Sequence, residues 1–291
     1  MRFKRFYLAM AVLAFLAACS TSKLTTNSKT SATGFENSGN YTQAVEAWNQ
    51  YFTQTSVEQT SSGDFAHAAQ TAYKAGNPTQ AVSWFDQARF KNYADPAMYE
   101  TLAKIYNSED NLSKELSSLE TYTEKFGTGN TTVNARLFSI YSEIGETEKA
   151  LKYWGLLNKQ TRSEESNLVD YLKINKKLEK NQVCDSVSTA LLKINPNQID
   201  ALDWQAKKYY WAGQNRYDRE MKAYEKNKTR KQYNVLVKEL DLVTADFKKA
   251  LPYLEKLWKQ NPGKEYAGYF ANIYARFGDE KKAGYYKNYM K

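Results

Sequence analysis

Histidine and cysteine, which often serve in catalysis and metal binding, are scarce in this 291-residue chain. The single histidine, His67, stands among small and apolar neighbours, and the two cysteines, Cys19 and Cys184, are far apart in the sequence. The chain has no GxxxxGK(S/T) phosphate loop, no HExxH zinc helix, no CxxC pair and no GxSxG nucleophile turn. We therefore predict that the protein is not an enzyme and holds neither a metal nor a cofactor.

Cys19 follows a segment with the three parts of an export signal. Three cations within the first five residues precede a run of ten apolar residues, 6–15, and the small residues 17–18 lead to the cysteine. A bilayer span needs about 20 apolar residues, so this run is too short to cross a membrane as a stable helix. An ordinary signal peptide with a chance cysteine and a cytosolic N-terminus are the alternatives.

The sequence LAAC at residues 16–19 resembles the lipobox of bacterial lipoproteins. This resemblance implies cleavage of a signal peptide, 1–18, followed by acylation of Cys19. Two or more acyl chains anchor a protein stably without a spanning helix. By the same resemblance, serine rather than aspartate at position 20 implies the outer membrane of a Gram-negative bacterium. The lack of an acidic cluster after Cys19 favours a lipid-anchored protein that faces the periplasm.

Residues 19–33 predict a flexible tether. Nine of the fourteen residues in 20–33 are Ser or Thr, and only Leu24 is large and apolar. Such a segment buries too little surface to offset the entropy lost on ordering. Acylation of Cys19 would leave Cys184 without a disulfide partner, and the apolar helical segment around Cys184 predicts a buried, inert thiol.

A repeat with a period near 34 residues occupies the rest of the chain. Segments 39–48, 76–85, 145–154 and 278–287 begin with glycine, have alanine sixth and usually an aromatic residue near the tenth place. Segments 181–196 and 245–262 share the pattern without the glycine. The residues in the sixth place are Ala44, Ala81, Glu115, Ala150, Cys184, Ala250 and Ala283, with spacings of 37, 34, 35, 34, 66 and 33.

This period and the alternation of small and aromatic residues resemble the tetratricopeptide repeat (TPR). The resemblance implies an all-α, right-handed solenoid of about seven helix pairs over residues 34–291, in which small residues bring helix A close to helix B. Proline after Asn77 and Asp95 predicts capped helix starts, and proline after Asn195 and Asn261 predicts helix ends. An irregular helical bundle is the alternative.

The spacing of 66 marks an insertion of about 32 residues. The insertion has helical periodicity on both sides of a polar centre at 226–230 and contains neither proline nor glycine. We predict that both helices of this repeat are extended into a protruding arm, 213–246, with its tip near 227–229. An additional helix pair, stacked as its own repeat, is the alternative.

Charge is distributed unevenly along the chain. Residues 19–203 carry 18 Lys/Arg and 22 Asp/Glu, whereas residues 204–291 carry 20 and 10, a net charge of +10. This polarity predicts either an anionic partner or a solvated face that maintains solubility. Nucleic acid is not expected as a partner, because an exported lipoprotein rarely meets it. The candidate basic residues of the arm are Lys226, Lys228, Arg230 and Lys231.

In the TPR family, helix A of each pair lines the concave surface, and Lys and Asn there clamp peptide carboxylates in some relatives. Lys104, Lys173, Lys207 and Asn272 match one such position, and Tyr73 and Tyr210 match another, with Lys176 between them in the sequence. The candidate peptide-binding residues are therefore Tyr73, Lys104, Lys173, Lys176, Lys207, Tyr210 and Asn272. Glu100, Asp200 and Asp203 share this surface, so ordinary solvated lysines are the alternative.

These features predict a membrane-anchored scaffold or adaptor that binds protein partners in the bacterial cell envelope. A non-catalytic lipoprotein subunit of an outer-membrane assembly, secretion or nutrient-uptake complex is the second interpretation. A hydrolase built on helical hairpins is the third, and the sequence offers no site for it.

Overall fold

The computed structural model describes residues 27–290, which form fifteen helices and no strand. Helix α1 covers residues 27–37. The helices that follow are α2 (Tyr41–Gln54), α3 (Ser62–Lys74), α4 (Pro78–Phe90), α5 (Pro96–Ser108), α6 (Leu112–Phe126), α7 (Thr131–Glu143), α8 (Thr147–Leu156), α9 (Lys159–Arg162), α10 (Glu165–Lys177), α11 (Asn181–Ile194), α12 (Ile199–Lys226), α13 (Arg230–Gln260), α14 (Lys264–Arg276) and α15 (Glu280–Asn288).

These helices form seven consecutive pairs, with the one-turn helix α9 as an addition between the fourth and fifth pairs. The all-α, TPR-like fold class predicted from the sequence is confirmed. The predicted repeat domain, 34–291, consists of two compact units, of which the first ends at Val133 and the second begins at Asn134. The first contains α1 to α6, and the second contains α8 to α15 and most of α7.

Packing explains why the residue in the sixth place of the repeat pattern is usually small. All seven residues there are buried, and the small ones let the two helices of a pair come close together. Glu115, the exception in size and charge, is also buried and accepts a hydrogen bond from Asn107 Nδ2 at 3.1 Å. Cys184 is fully buried as predicted, and this burial raises the pKa of its thiol.

The first place of the pattern lies in the turn between the two helices of a pair. Gly76 has φ = 74°, a backbone conformation that glycine adopts without steric cost. Where the pattern lacks glycine, Asp110 (φ = 53°) and Glu179 (φ = 54°) hold the same turn. In the sixth pair the equivalent residue, Ala245, lies inside a continuous helix, so the turn is moved outward and the arm forms.

Predicted helix boundaries are confirmed at all four proline sites. Asn77 and Asp95 accept hydrogen bonds from the backbone N–H groups of Gln80 and Met98, and proline follows each cap at the first helical position. Helices α11 and α13 end at Ile194 and Gln260, directly before the Asn–Pro dipeptides.

The predicted tether, 19–33, is too long at its C-terminal end. Residues 27–33 belong to helix α1, where Ala32 is fully buried and Lys29 Nζ lies 2.7 Å from Asp64 Oδ1 on α3. The prediction failed because it counted only large apolar residues, whereas helix α1 packs through alanine and serine. The signal peptide, Cys19 and the rest of the tether lie outside the described residues.

The extended hairpin is confirmed, and the alternative of an additional stacked pair is wrong. Helices α12 and α13 have 28 and 31 residues and are joined by a turn at 227–229. At the base of the arm, a Cβ atom on Gly213 would lie 3.0 Å from the Phe247 ring, so glycine is what lets the two helices approach there. Within the described residues, no helix combines the length and apolar character that a bilayer span requires.

Candidate functional site

The seven candidate peptide-binding residues divide between the two units. Tyr73 is half-buried on α3 and Lys104 is exposed on α5, both in the first unit. The other five lie on the first helices of consecutive pairs in the second unit: Lys173 and Lys176 on α10, Lys207 and Tyr210 on α12, and Asn272 on α14. The second unit therefore holds the larger set, and contacts between its helices bring these side chains together.

Two of the predicted lysines are already engaged by carboxylates of the chain itself. Lys207 Nζ lies 2.6 Å from Asp203 Oδ1 and 3.0 Å from Glu265 Oε1, and Lys176 Nζ lies 3.4 Å from Asp203 Oδ2. Burial lowers the pKa of Lys207, but its hydrogen bonds to Asp203 and Glu265 outweigh burial, so the pKa is raised. These pairs join α10, α12 and α14, which makes Lys176 and Lys207 positioning residues for the surface.

Tyr210 and Asn272 form a second connection between α12 and α14. Asn272 Nδ2 donates to Tyr210 Oη, and also to Gln214 Oε1 at 2.8 Å. The Tyr210 ring packs edge-to-face on Tyr269, with centroids 4.5 Å apart. Both amide hydrogens of Asn272 are thus satisfied within the protein, whereas its carbonyl oxygen accepts no hydrogen bond among the described residues.

A cavity of about 610 Å³ lies between α7 and α10, and we call it the lysine cavity. Its lining residues are Ser139, Ser142, Glu143, Asp170, Lys173, Lys176 and Lys177. Unlike Lys176, the ammonium groups of Lys173 and Lys177 have no carboxylate within ion-pair distance among the described residues. The lysine cavity therefore presents two cations that are available to a ligand.

Asp170 lines the lysine cavity together with Lys173. Burial raises the pKa of Asp170, and this effect exceeds the opposing effects of a hydrogen bond to Ser139 and the charge of Lys173. Three lysines and two acids, Asp170 and Glu143, line the lysine cavity, so cations outnumber acids there.

A second cavity, of about 560 Å³, adjoins the first at Lys176, which lines both; we call it the tryptophan cavity. Trp211 is 48% exposed there, while Trp204 donates from Nε1 to Asp185 Oδ1 at 2.9 Å. Lys208 Nζ lies 2.9 Å from Asp185 Oδ2, so this cavity offers an aromatic surface rather than free cations. A peptide lying across both cavities would meet cations first and an exposed indole next.

The arm tip, residues 222–238, is a separate candidate surface. Lys226, Lys228, Arg230 and Lys231 are all exposed there, and none has an ion-pair partner among the described residues. The charges at the base of the arm differ, since Arg216 Nη1 lies 2.6 Å from Glu239 Oε2. Cations are therefore neutralised at the base and left free at the tip.

Sequence reasoning missed Lys177 and Glu265, and it placed Asp203 on this surface without predicting its ion pairs. Lys177 directly follows the predicted Lys176, and Asp203 stands four residues before Lys207, a spacing that signals a helical ion pair. Lys177 and the Asp203–Lys207 ion pair could therefore have been predicted from the sequence. Glu265 is 58 residues from Lys207, and no local pattern indicates that the two side chains meet.

His67 is engaged in structure rather than in a cluster of reactive groups. Its Nε2 lies 2.7 Å from Glu36 Oε2, and Glu36 also accepts hydrogen bonds from Trp48 Nε1 and Thr71 Oγ1. In the part of the chain that the structure describes, no group of three or more His, Cys, Asp and Glu residues is arranged to hold a metal ion.

Comparison with known proteins shows that this chain is similar to several solved structures. No protein-family profile matches the chain, and no curated protein matches it. The solved C-terminal part of a TPR repeat-containing protein from Cytophaga hutchinsonii is 15% identical, with a TM-score of 0.52 over 89% of this chain and 92% of that one.

Two further solved TPR proteins are more distant in structure. One, from Parabacteroides merdae, is 17% identical, with a TM-score of 0.41 over 79% of this chain and 93% of that one. The other, from Bacteroides fragilis, is 18% identical, with a TM-score of 0.36 over 91% and 98%. The similarity to the Cytophaga structure and the seven helix pairs agree: this chain has the TPR-like all-α fold.

Proposed function

We propose that the protein is a non-catalytic scaffold whose second unit binds an acidic peptide segment of a partner protein. The observation that carries this proposal is the pair of ammonium groups, Lys173 and Lys177, that line the lysine cavity and have no ion pair in the described part of the chain. Asp203 holds Lys176 and Lys207 in place beside them. The helices fix the backbone positions of Lys173 and Lys177, and their flexible exposed side chains can adapt to a ligand.

The exposed indole of Trp211 supports a peptide rather than a small anion as the ligand. The lysine and tryptophan cavities adjoin at Lys176, so one extended chain can reach both. A carboxylate would pair with Lys173 or Lys177, and an apolar side chain would pack on Trp211. Aromatic and cationic groups of this kind carry much of the binding energy in protein interfaces.

Reversing both free cations, Lys173→Glu and Lys177→Glu, is expected to weaken capture of the partner at least about tenfold. Exposed charges contribute little to folding, so the melting temperature should change by no more than a few degrees. The measurement is quantitative pull-down from solubilised cell envelopes. Lys193→Glu with Lys259→Glu is the matched control, since both lysines are exposed in the same unit and have no ion pair among the described residues.

If the reversed protein and the control both still captured the partner, the lysine cavity would not be its binding site. Loss of capture in both would mean that overall charge, not this site, recruits the partner. A partner recovered in fixed stoichiometry would favour the second interpretation, a subunit of an outer-membrane complex.

We also propose that Cys19 anchors this scaffold in the outer membrane, facing the periplasm. The proposal rests on the cations, apolar run and LAAC sequence of residues 1–19. Cys19→Ala is expected to abolish labelling by radioactive palmitate and to leave the protein uncleaved or soluble. Label retained by the alanine variant would contradict acylation at this cysteine, and the position of Cys184 in the buried core makes it a poor alternative acceptor.

A further inference from the structure

The arm tip has a net positive charge that no ion pair among the described residues offsets. Residues 222–238 carry six cations and one acid, Glu225, for a net charge of +5. The cations are Lys222, Lys226, Lys228, Arg230, Lys231 and Lys238, all exposed and without ion pairs in the described part of the chain. These cations are therefore free to contact an anionic partner outside the protein.

Two of these cations occupy positions that oppose helix stability. Arg230 and Lys231 are the first residues of α13, whose first turn contains no acid. The N-terminus of a helix carries a partial positive charge, so cations there are unfavourable and acids are preferred. Folding alone gives no reason for this choice of residues, which points to a role in contact with something anionic.

Apolar groups are exposed among the same cations. Tyr233 is 51% exposed, Val235 39% and Val237 42%, although Leu236 between them is buried in the hairpin. The ring of Tyr233 leans toward Tyr224, with centroids 5.9 Å apart. A solvated arm or a purely electrostatic contact requires only charges, whereas this tip places cations and apolar side chains side by side.

We propose that the arm tip binds the surface of an anionic lipid bilayer. Cations attract the negative headgroups, while tyrosine and short aliphatic side chains are suited to the boundary between headgroups and acyl chains. The two-helix end projects away from the repeat, so a flat surface can reach it. This contact is independent of the peptide site in the lysine cavity and does not require acylation of Cys19.

The position of the arm suits such a contact. Arg276, at the end of α14, lies over the Tyr217 ring with its guanidinium carbon 3.3 Å from the centroid. Beyond Tyr217, helix α12 continues for nine residues to Lys226, or roughly 13 Å at 1.5 Å per residue. The arm tip therefore lies about that far beyond the contact with Arg276.

A fluorescent probe at the tip tests the proposal on the full-length chain. An environment-sensitive dye is attached at Asn234→Cys in a Cys19→Ser background; Cys184 is buried and does not compete for the label. Vesicles of phosphatidylglycerol mixed with phosphatidylcholine, vesicles of phosphatidylcholine alone, and polyglutamate are then added separately. We expect the dye to shift to the blue only with the anionic vesicles, and less so at higher salt.

Charge reversal provides the matched comparison. Lys228→Glu, Arg230→Glu and Lys231→Glu together should weaken the vesicle response at least about 100-fold, at roughly fivefold for each cation lost near an anionic surface. The melting temperature should be unchanged or slightly raised, because acids then begin α13. The control reverses three exposed lysines elsewhere in the same unit, Lys193, Lys259 and Lys281.

The outcomes separate the possible partners. A response to polyglutamate but not to anionic vesicles would overturn the lipid proposal and assign the tip to an acidic protein. An equal response to both kinds of vesicle, no response at all, or equal weakening by the control would also overturn it. A salt-sensitive response to anionic vesicles, lost only on reversal of the tip, supports it.

Discussion

Replacing Phe247 with alanine is expected to lower the free energy of unfolding of the second unit by about 3–5 kcal/mol. Phe247 is fully buried where the arm joins the repeat, in the cluster that also contains Tyr210 and Phe270. Its ring lies against Gly213, whose missing side chain leaves room for it. Alanine would leave a cavity between two long helices that cannot easily close around it.

Chemical denaturation followed by circular dichroism measures this loss. The matched control is Phe90→Ala, since Phe90 is 81% exposed and should change the unfolding free energy of its own unit by no more than about 0.5 kcal/mol. If Phe247→Ala were as mild as the control, the base of the hairpin would not be packed as described. The arm could then not be a rigid extension of the repeat.

Replacing Glu36 with alanine is expected to cost the first unit about 2–4 kcal/mol. Glu36 accepts hydrogen bonds from His67, Thr71 and Trp48, and the side chain of Trp48 is almost fully buried. Removal of the carboxylate leaves a buried indole N–H without an acceptor and loses charge-assisted hydrogen bonds. The control is Glu46→Ala, at an exposed position of α2 without a hydrogen bond or ion pair among the described residues.

The effect of Glu36→Ala should also depend on pH. Burial opposes ionisation of Glu36, but its hydrogen bonds to Thr71, Trp48 and His67 outweigh burial, so its pKa in the folded state lies below 4.5. A carboxyl group whose pKa is lowered on folding stabilises the folded state at pH values above its unfolded-state pKa. This stabilisation is lost as the pH falls through its folded-state pKa. The difference between wild type and variant should therefore shrink below about pH 4.5. A constant difference would contradict the role given to the carboxylate.

The sequence predicted the helix pairs because packing requires the same residue types at regular intervals. Small residues are needed where two helices approach each other, and a positive φ is needed in the turn between them. Residues equivalent to Ala81 and Gly76 therefore recur at the same places in other helix pairs. The arm was predictable for the same reason, since helical periodicity continued through an insertion without proline or glycine. The spacing of small and apolar residues therefore predicts most of the helix pairs.

Helix α1 was missed because its packing uses side chains that a hydrophobicity count ignores. Ala32 and Ser28 are buried in it, and Glu36 contributes hydrogen bonds rather than apolar area. Polar residues in a Ser/Thr-rich segment resemble a linker until the groups that they contact are known. Contacts over 12 to 35 residues cannot be derived from local composition.

The candidate site was only partly predictable. Helix position indicated Lys173, Lys176 and Lys207, but the sequence could not tell which lysines are paired. Asp203 engages two of them, and this leaves Lys173 together with the unpredicted Lys177 as the free cations. Which lysines are paired and which are free depends on distances between separate helices, and a single sequence does not contain these distances.

Photo-crosslinking in intact cells tests the central claim most directly, because it asks what touches the lysine cavity in its own compartment. A photo-reactive residue at Ser139, which lines the cavity, is compared with one at Lys193, exposed on α11. We predict one defined protein adduct from Ser139, absent from Lys193 and lost when Lys173 and Lys177 are changed to glutamate. The same adducts from both positions, or an adduct from Ser139 that survives the charge reversal, would contradict the account.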